Sequence, residues 1–129
     1  MLTVGSTSEK DIGEAINPDV NLAGMTTFSE LAPVLKRAKI VIGNDSGPLY
    51  LASAVGTKTV GIYGPSSPKL VGPFSGNHRS VSSPVWCQPC YHPDTQTRGN
   101  IACQTGSWAC MLTIRAEDII SEIDDLLRV

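Results

Sequence analysis

The chain has 129 residues, 41% of them hydrophobic and 17% charged, with a formal net charge of -2. That length predicts one domain, able to bury roughly two-thirds of the surface its unfolded chain exposes. The composition excludes a disordered chain, and no apolar run approaches the ~20 residues of a membrane span. Scattered basic residues and the net charge of -2 argue against a nucleic-acid binder, which carries a clustered cationic face. The opening MLTVGSTSEK lacks the charged and long apolar regions of a secretory signal, so a soluble, cytoplasmic chain is predicted.

Leu2-Thr3-Val4 reads as a short strand that begins with no lead-in, as in a chain cut at a domain boundary. Gly5-Ser6-Thr7-Ser8 is a polar loop, followed by a helical segment with Ile12, Ala15 and Ile16 on one face. Asn17-Pro18 stops that helix, and Val20-Asn21-Leu22 is extended. Thr27-Phe28-Ser29-Glu30 has the form of a capping box, in which hydroxyl and carboxylate satisfy each other's backbone amides. Behind it Leu31, Val34, Leu35 and Ala38 form a helical stripe for the core, with Pro33 removing one hydrogen bond.

Ile40-Val41-Ile42 reads as a strand buried on both faces, as parallel strands are. After it, Asp45-Ser46-Gly47 leads into a compact apolar helix with Pro48 at its first position and Leu49, Leu51, Ala52 and Val55 within it. Gly56 suits a left-handed end to that helix, and Thr59 to Tyr63 form the next strand. Strand, loop, helix and strand make a βαβ unit, so the class is α/β with a parallel, Rossmann-like sheet and flanking helices. From 68 to 113 periodicity fades into an irregular segment rich in Pro, Gly, Ser and Cys. The last helix carries Ile119, Ile120, Ile123, Leu126 and Leu127 as an apolar stripe, with Glu117 and Asp118 at its positive end.

The run Asp45-Ser46-Gly47 sits at the carboxyl end of a predicted parallel strand and at a helix N-terminus, where unpaired amides and a partial positive charge suit a phosphate. Gly47 lets backbone approach a ligand closely, and Ser46 adds a hydroxyl. Asp45 would repel a phosphate, so its natural partners are amides or sugar hydroxyls. On spacing alone, simple helix capping by Asp45 and Ser46 is the more economical reading.

The run from Asn21 to Phe74 contains Asn-Leu-Ala-Gly-Met-Thr, Gly-Asn-Asp-Ser-Gly-Pro-Leu-Tyr-Leu-Ala-Ser-Ala, Tyr-Gly-Pro-Ser-Ser-Pro and Gly-Pro-Phe, in that order. It closely resembles the carboxyl-terminal half of the ADP-heptose:lipopolysaccharide heptosyltransferases, glycosyltransferase family 9. The Cys-Gln-Pro-Cys segment and the terminal helix resemble that family's ending too. The resemblance implies the C-terminal half of a GT-B fold, residues 1–129 being the nucleotide-sugar donor domain without the N-terminal acceptor domain and its catalytic base. It further implies an inverting transfer of heptose from ADP-heptose to a lipopolysaccharide core acceptor at the inner face of the cytoplasmic membrane. No catalytic residue is then expected in this chain and no cofactor is required for catalysis, in keeping with the absence of a D-x-D pair.

By the same resemblance Asp45, Ser46 and Gly47 match the donor-contact motif, Glu9 the acid that meets the ribose, and Met25 the residue beside the adenine. Glu9 reads equally well as a first-turn helix acid, and Met25 as an ordinary core or loop methionine. Tyr50 stands where the family usually has His; a phenol donates one hydrogen bond but carries no positive charge near neutral pH. That departure leaves open another nucleotide-sugar donor, beside a non-catalytic nucleotide-binding module, or a Tyr50 that simply packs. Cys87, Cys90, Cys103 and Cys110, with His92 nearby, are candidates for a structural zinc, with disulfides or plain buried thiols as rivals.

Overall fold

A computed structural model of the chain describes residues 1–90, 103 and 105–128. The elements run β1 (Leu2–Thr3), a 3-10 turn (Thr7–Glu9), α1 (Lys10–Ala15), β2 (Val20–Asn21), α2 (Phe28–Arg37), β3 (Ile40–Asn44), α3 (Gly47–Ala54), β4 (Lys58–Tyr63), α4 (Pro68–Val71), β5 (His78–Ser82), α5 (Ala109–Leu112) and α6 (Ala116–Arg128). Every strand pairing among the described residues is parallel. The α/β class with flanking helices holds, and the described strands form two sheets, β1-β2 and β3-β4-β5.

The capping box forms as the sequence predicts. Glu30 Oε2 accepts from the Thr27 amide and hydroxyl, both at 2.8 Å, while the Glu30 amide donates to Thr27 Oγ1 at 3.4 Å. The helix it starts buries Leu31 and Leu35 against Ala52 of α3, with Val4, Val41, Leu51 and Val55 around them. Each leucine so buried contributes about 1.5–3 kcal/mol. On the opposite face of the larger sheet Val60, Val81 and Leu126 form a second cluster with Ile40, Ile114, Ile119 and Ile123. Successive residues of β4 serve the two layers in turn, as a period of two requires.

Several packing expectations are corrected. Ile12 and Ile16 of the first helical segment are 65% and 52% exposed. Ile42 is 47% exposed, so β3 is not covered on both faces along its length. In α6 the buried stripe is narrower than predicted, with Ile120 and Leu127 exposed. The segment from 68 to 113 is less irregular than its composition suggests, since it contains α4, β5 and α5. Strand β5, His-Arg-Ser-Val-Ser, has one buried apolar residue, Val81, and so little periodic signal. Pro48 is the second residue of its helix, which starts at Gly47.

Helix ends are tied into the body. Thr57 Oγ1 donates to the Leu35 carbonyl at 2.9 Å at the end of α2, and Gly56 takes φ +87 as the left-handed end of α3. Lys58 Nζ donates to the Leu126 carbonyl at 2.7 Å, placing a cation at the negative end of α6.

Candidate functional site

Strands β3 and β4 end side by side, and beyond their carboxyl ends lies a cavity of about 410 Å³. Asn44 and Asp45 line it from the β3 end, Ile62 and Gly64-Pro65-Ser66 from the β4 end, and Met111 from α5. The Asp45 amide donates to the Ile62 carbonyl at 3.3 Å, which carries the pairing one residue beyond β3 and holds Asp45 at the mouth.

Helix α3 opens beside Asp45. Ser46 is its N-cap in extended conformation, but its side chain makes no capping bond; Ser46 Oγ donates back to the Asn44 carbonyl at 3.1 Å. Simple capping therefore does not account for Ser46. The Leu49 and Tyr50 amides donate to the Ser46 carbonyl at 3.1 and 3.3 Å. Gly47 has a packing role: a Cβ there would stand 2.9 Å from Phe28 Cζ.

Tyr50 does more than pack, since its hydroxyl is engaged. Its hydroxyl oxygen lies 2.5 Å from Asp45 Oδ1 and in contact with the Val71 carbonyl at the end of α4. A phenol has one proton, so it donates to one of these two acceptors. Donating to Asp45, the phenol fastens that carboxylate beside the end of α4. Tyr63, fully buried, has its hydroxyl pushed up to about 12 by burial and then by the Asp45 carboxylate.

Asp45, Ser46, Gly47 and Tyr50 lie together at the start of α3, and of these Asp45 lines the cavity; Glu9 lines the groove beside β1 and β3 instead, and Met25 lines neither. Glu9 Oε2 accepts from the Ser6 amide at 2.7 Å and the Ser6 hydroxyl at 2.6 Å, and those bonds hold its carboxyl below the usual range. Met25 follows Gly24, which has φ +74, and is 68% exposed; it is not a core methionine.

The Cys-Gln-Pro-Cys segment supplies a residue that sequence reasoning missed. Gln88 Nε2 donates to the carbonyls of Gly64 at 2.7 Å and of Tyr63 and Ser66 at 3.2 Å. The Cys90 amide donates to the Pro65 carbonyl at 2.8 Å. These bonds hold the loop that forms one wall of the cavity. Met111 packs against Gly64 on the same wall. No periodic pattern points to Gln88 or Met111; the signal was the Gly-Pro-Ser motif, whose backbone needed an outside support.

None of Cys87, Cys90, Cys103 and Cys110 is in a disulfide. Burial, and then the neighbouring thiols Cys87, Cys110 and Cys103, push the Cys90 thiol up. Cys103 is lowered to about 7, chiefly by the Thr105 hydroxyl and the Trp108 amide. The four thiols share a neighbourhood, yet among the described residues no three His, Cys, Asp or Glu side chains group as a metal-ion site. His92 and the other residues between Cys90 and Cys103 lie outside the described residues. No helix among the described residues is long and apolar enough to cross a membrane.

A parallel α/β sheet with flanking helices and a loop-lined cavity outside its strand ends defines a Rossmann-like domain. Residues 1–100 match the family described as glycosyltransferase family 9 (heptosyltransferase), and the chain belongs to that family. It is 35% identical over 80 residues to lipooligosaccharide heptosyltransferase 2 of Haemophilus influenzae, covering 55% of this chain and 23% of that protein. It is 28% identical over 109 residues to the enzyme of the same name from Campylobacter jejuni, covering 84% of this chain and 32% of that protein. Among solved structures, the E. coli ADP-heptose lps heptosyltransferase II superimposes with TM-score 0.73 at 24% identity, over 98% of this chain and 36% of that one. A family 9 glycosyltransferase from Veillonella parvula gives TM-score 0.76 at 20% identity, with the same coverage of each chain. The two likenesses establish the fold. The chain spans about a third or less of the length of these relatives.

Proposed function

We propose that this chain is the nucleotide-sugar side of a heptosyltransferase, the donor domain of a longer inverting enzyme. The observation that carries the reading is the cavity at the carboxyl ends of β3 and β4, lined by Asn44-Asp45 and Gly64-Pro65-Ser66, in a chain of glycosyltransferase family 9. In heptosyl transfer an acceptor hydroxyl oxygen bonds to the anomeric carbon of the sugar. The bond from that carbon to the diphosphate oxygen breaks, and the nucleoside diphosphate leaves with the electron pair. The hydroxyl proton passes to a base, which this reading assigns to the part of the protein outside this chain, together with the lipopolysaccharide acceptor.

The share of this chain is to hold the donor, taken as ADP-heptose. The Gly47 end of α3 faces the diphosphate with amide and dipole, and the Ser46 hydroxyl can turn from the Asn44 carbonyl to a phosphate oxygen. Asp45 accepts from sugar hydroxyls, and Tyr50 acts through Asp45 by orienting it. Glu9 meets the ribose diol and Met25 the adenine, outside the strand-end cavity; the exposure of Met25 leaves its surface open to a flat base. Work at the cytoplasmic face of the membrane is part of the same reading.

Calorimetric titration of the chain with ADP, UDP and GDP tests it. ADP is expected to bind best, and Asp45→Ala and Ser46→Ala each to weaken it about tenfold, about 1.4 kcal/mol. Equal and negligible binding of all three nucleotides would overturn the reading.

A further inference from the structure

Asn21, the last residue of β2, ties three separate segments together through one side-chain amide. Its Oδ1 accepts from the Thr3 hydroxyl of β1 and from the Ala23 amide, both at 3.0 Å, and its Nδ2 donates to the Lys10 carbonyl of α1 at 3.1 Å. A backbone amide only donates and a carbonyl only accepts. The Asn21 amide therefore has one orientation, since turning it over would break the bonds to Ala23 and Lys10 alike.

Two glycines fit the chain around it. Gly13 stands inside α1, where glycine is less favourable than alanine. A Cβ there would stand 2.9 Å from Asn21 Oδ1 and 3.1 Å from its Nδ2, so the helix gives up a side chain where the Asn21 amide lies. Gly24 takes φ +74, and its amide donates to the Gly5 carbonyl at 2.9 Å. A Cβ on Gly24 would meet Thr7 Cα at 2.8 Å, so the turn after β2 lies directly on the turn that leads into α1. Residues 5–10 and 21–25 are thus clamped against each other.

These two loops carry the two side chains that the proposed function gives to the nucleoside. Glu9 immediately precedes Lys10, whose carbonyl Asn21 holds. Met25 closes the turn that begins at Asn21, its amide donating to the Leu22 carbonyl at 3.0 Å. We propose that Asn21 is the positioning residue of the nucleoside half of the donor site, fixing the Glu9 carboxylate, for a ribose diol, relative to Met25, for an adenine. The inference rests on the donor reading given above. None of the three bonds of Asn21 reaches the strand-end cavity, where that reading places the diphosphate. Loss of Asn21 therefore acts on recognition of the ribose and base and leaves the diphosphate end as it is.

Calorimetric titration with ADP and 2′-deoxyADP tests it, in the unaltered chain and in Asn21→Ala. The unaltered chain is expected to bind ADP about tenfold more tightly, because a carboxylate accepting from both ribose hydroxyls loses one charge-assisted bond when the 2′-hydroxyl is missing. In Asn21→Ala the ratio of the two affinities is expected to fall to about one. Ser46→Ala, at the diphosphate end, is expected to weaken both nucleotides while keeping the ratio at about ten. Gly13→Ala pushes the same Asn21 amide aside without deleting it; it is expected to lower the ratio too, and serves in place of Asn21→Ala should that variant not fold. A ratio unchanged in the folded Asn21→Ala or Gly13→Ala chain, with both nucleotides weakened equally, would reduce Asn21 to a structural role and overturn the proposal. So would a ratio that Ser46→Ala lowers as far, or equal affinities in an unaltered chain that binds ADP. Failure of the donor reading looks different, since ADP, UDP and GDP then all bind negligibly to the unaltered chain, and the inference falls with it.

Discussion

Gln88 donates to three carbonyls of the strand-end loop from one amide group, and that loop is a wall of the proposed donor site. Gln88→Glu keeps the size of the side chain but removes both donors and turns oxygens toward carbonyl oxygens. Thermal unfolding is expected to show a loss of about 1–3 kcal/mol, and calorimetry a roughly tenfold weaker ADP affinity. His78 gives a second expectation. Its Nδ1 lies 2.9 Å from Thr59 Oγ1 and its Nε2 lies 3.2 Å from the Tyr63 hydroxyl. Burial, and then Arg79, hold its imidazole below the usual value. The folded state therefore binds fewer protons than the unfolded chain near pH 6. The stability this contributes is fully present above about pH 6.5 and is lost as pH falls through the folded value of His78. Unfolding midpoints measured from pH 7.5 to 5 should fall, and His78→Gln should flatten the decline across that window. The exposed carboxylates Glu9 and Glu30, held below their usual range, act in a lower window, below about pH 4.5.

Strand β4 is the central element of its sheet, paired on both sides, and Gly61 is what lets α3 lie against it. A Cβ at Gly61 would stand 2.6 Å from Tyr63 Cε2 and 2.9 Å from Leu49 Cδ2. Tyr63 and Leu49 are buried to 0% and 1% exposure, so neither can swing away. Gly61→Ala is expected to destabilise by about 1–3 kcal/mol through overpacking, measured by denaturant unfolding. Gly47→Ala should be milder, because the atom it meets is the tip of a Phe28 ring that is 61% exposed. Two glycines in one βαβ unit thus answer to different neighbours, although the sequence presents both simply as glycine beside apolar residues.

Across the whole molecule, the strand-end cavity and the groove beside β1 are separate hollows, and Glu9, assigned to the ribose in the proposed function, lines the groove. The strand-end cavity is built from β3, β4 and the loop that Gln88 holds, while the groove lies between β1 and β3. Legible in the sequence were the features set by local chemistry. The Thr27-Glu30 capping box, the left-handed Gly56, the parallel βαβ unit and the motif that marks the family all follow from residues close along the chain. The approach of Asp45, Ser46, Gly47 and Tyr50 was legible for the same reason. Tertiary structure alone decided what covers each apolar residue. Ile12, Ile16 and Ile42 carry the right pattern for a core, yet they stand exposed along a groove. Strand β5 forms from a largely polar stretch because β4 offers it an edge, and Gln88 reaches its carbonyls only once the chain has folded back. Periodicity along a chain records which residues seek burial, whereas the partner that buries them comes from a distant segment, and no local pattern encodes that.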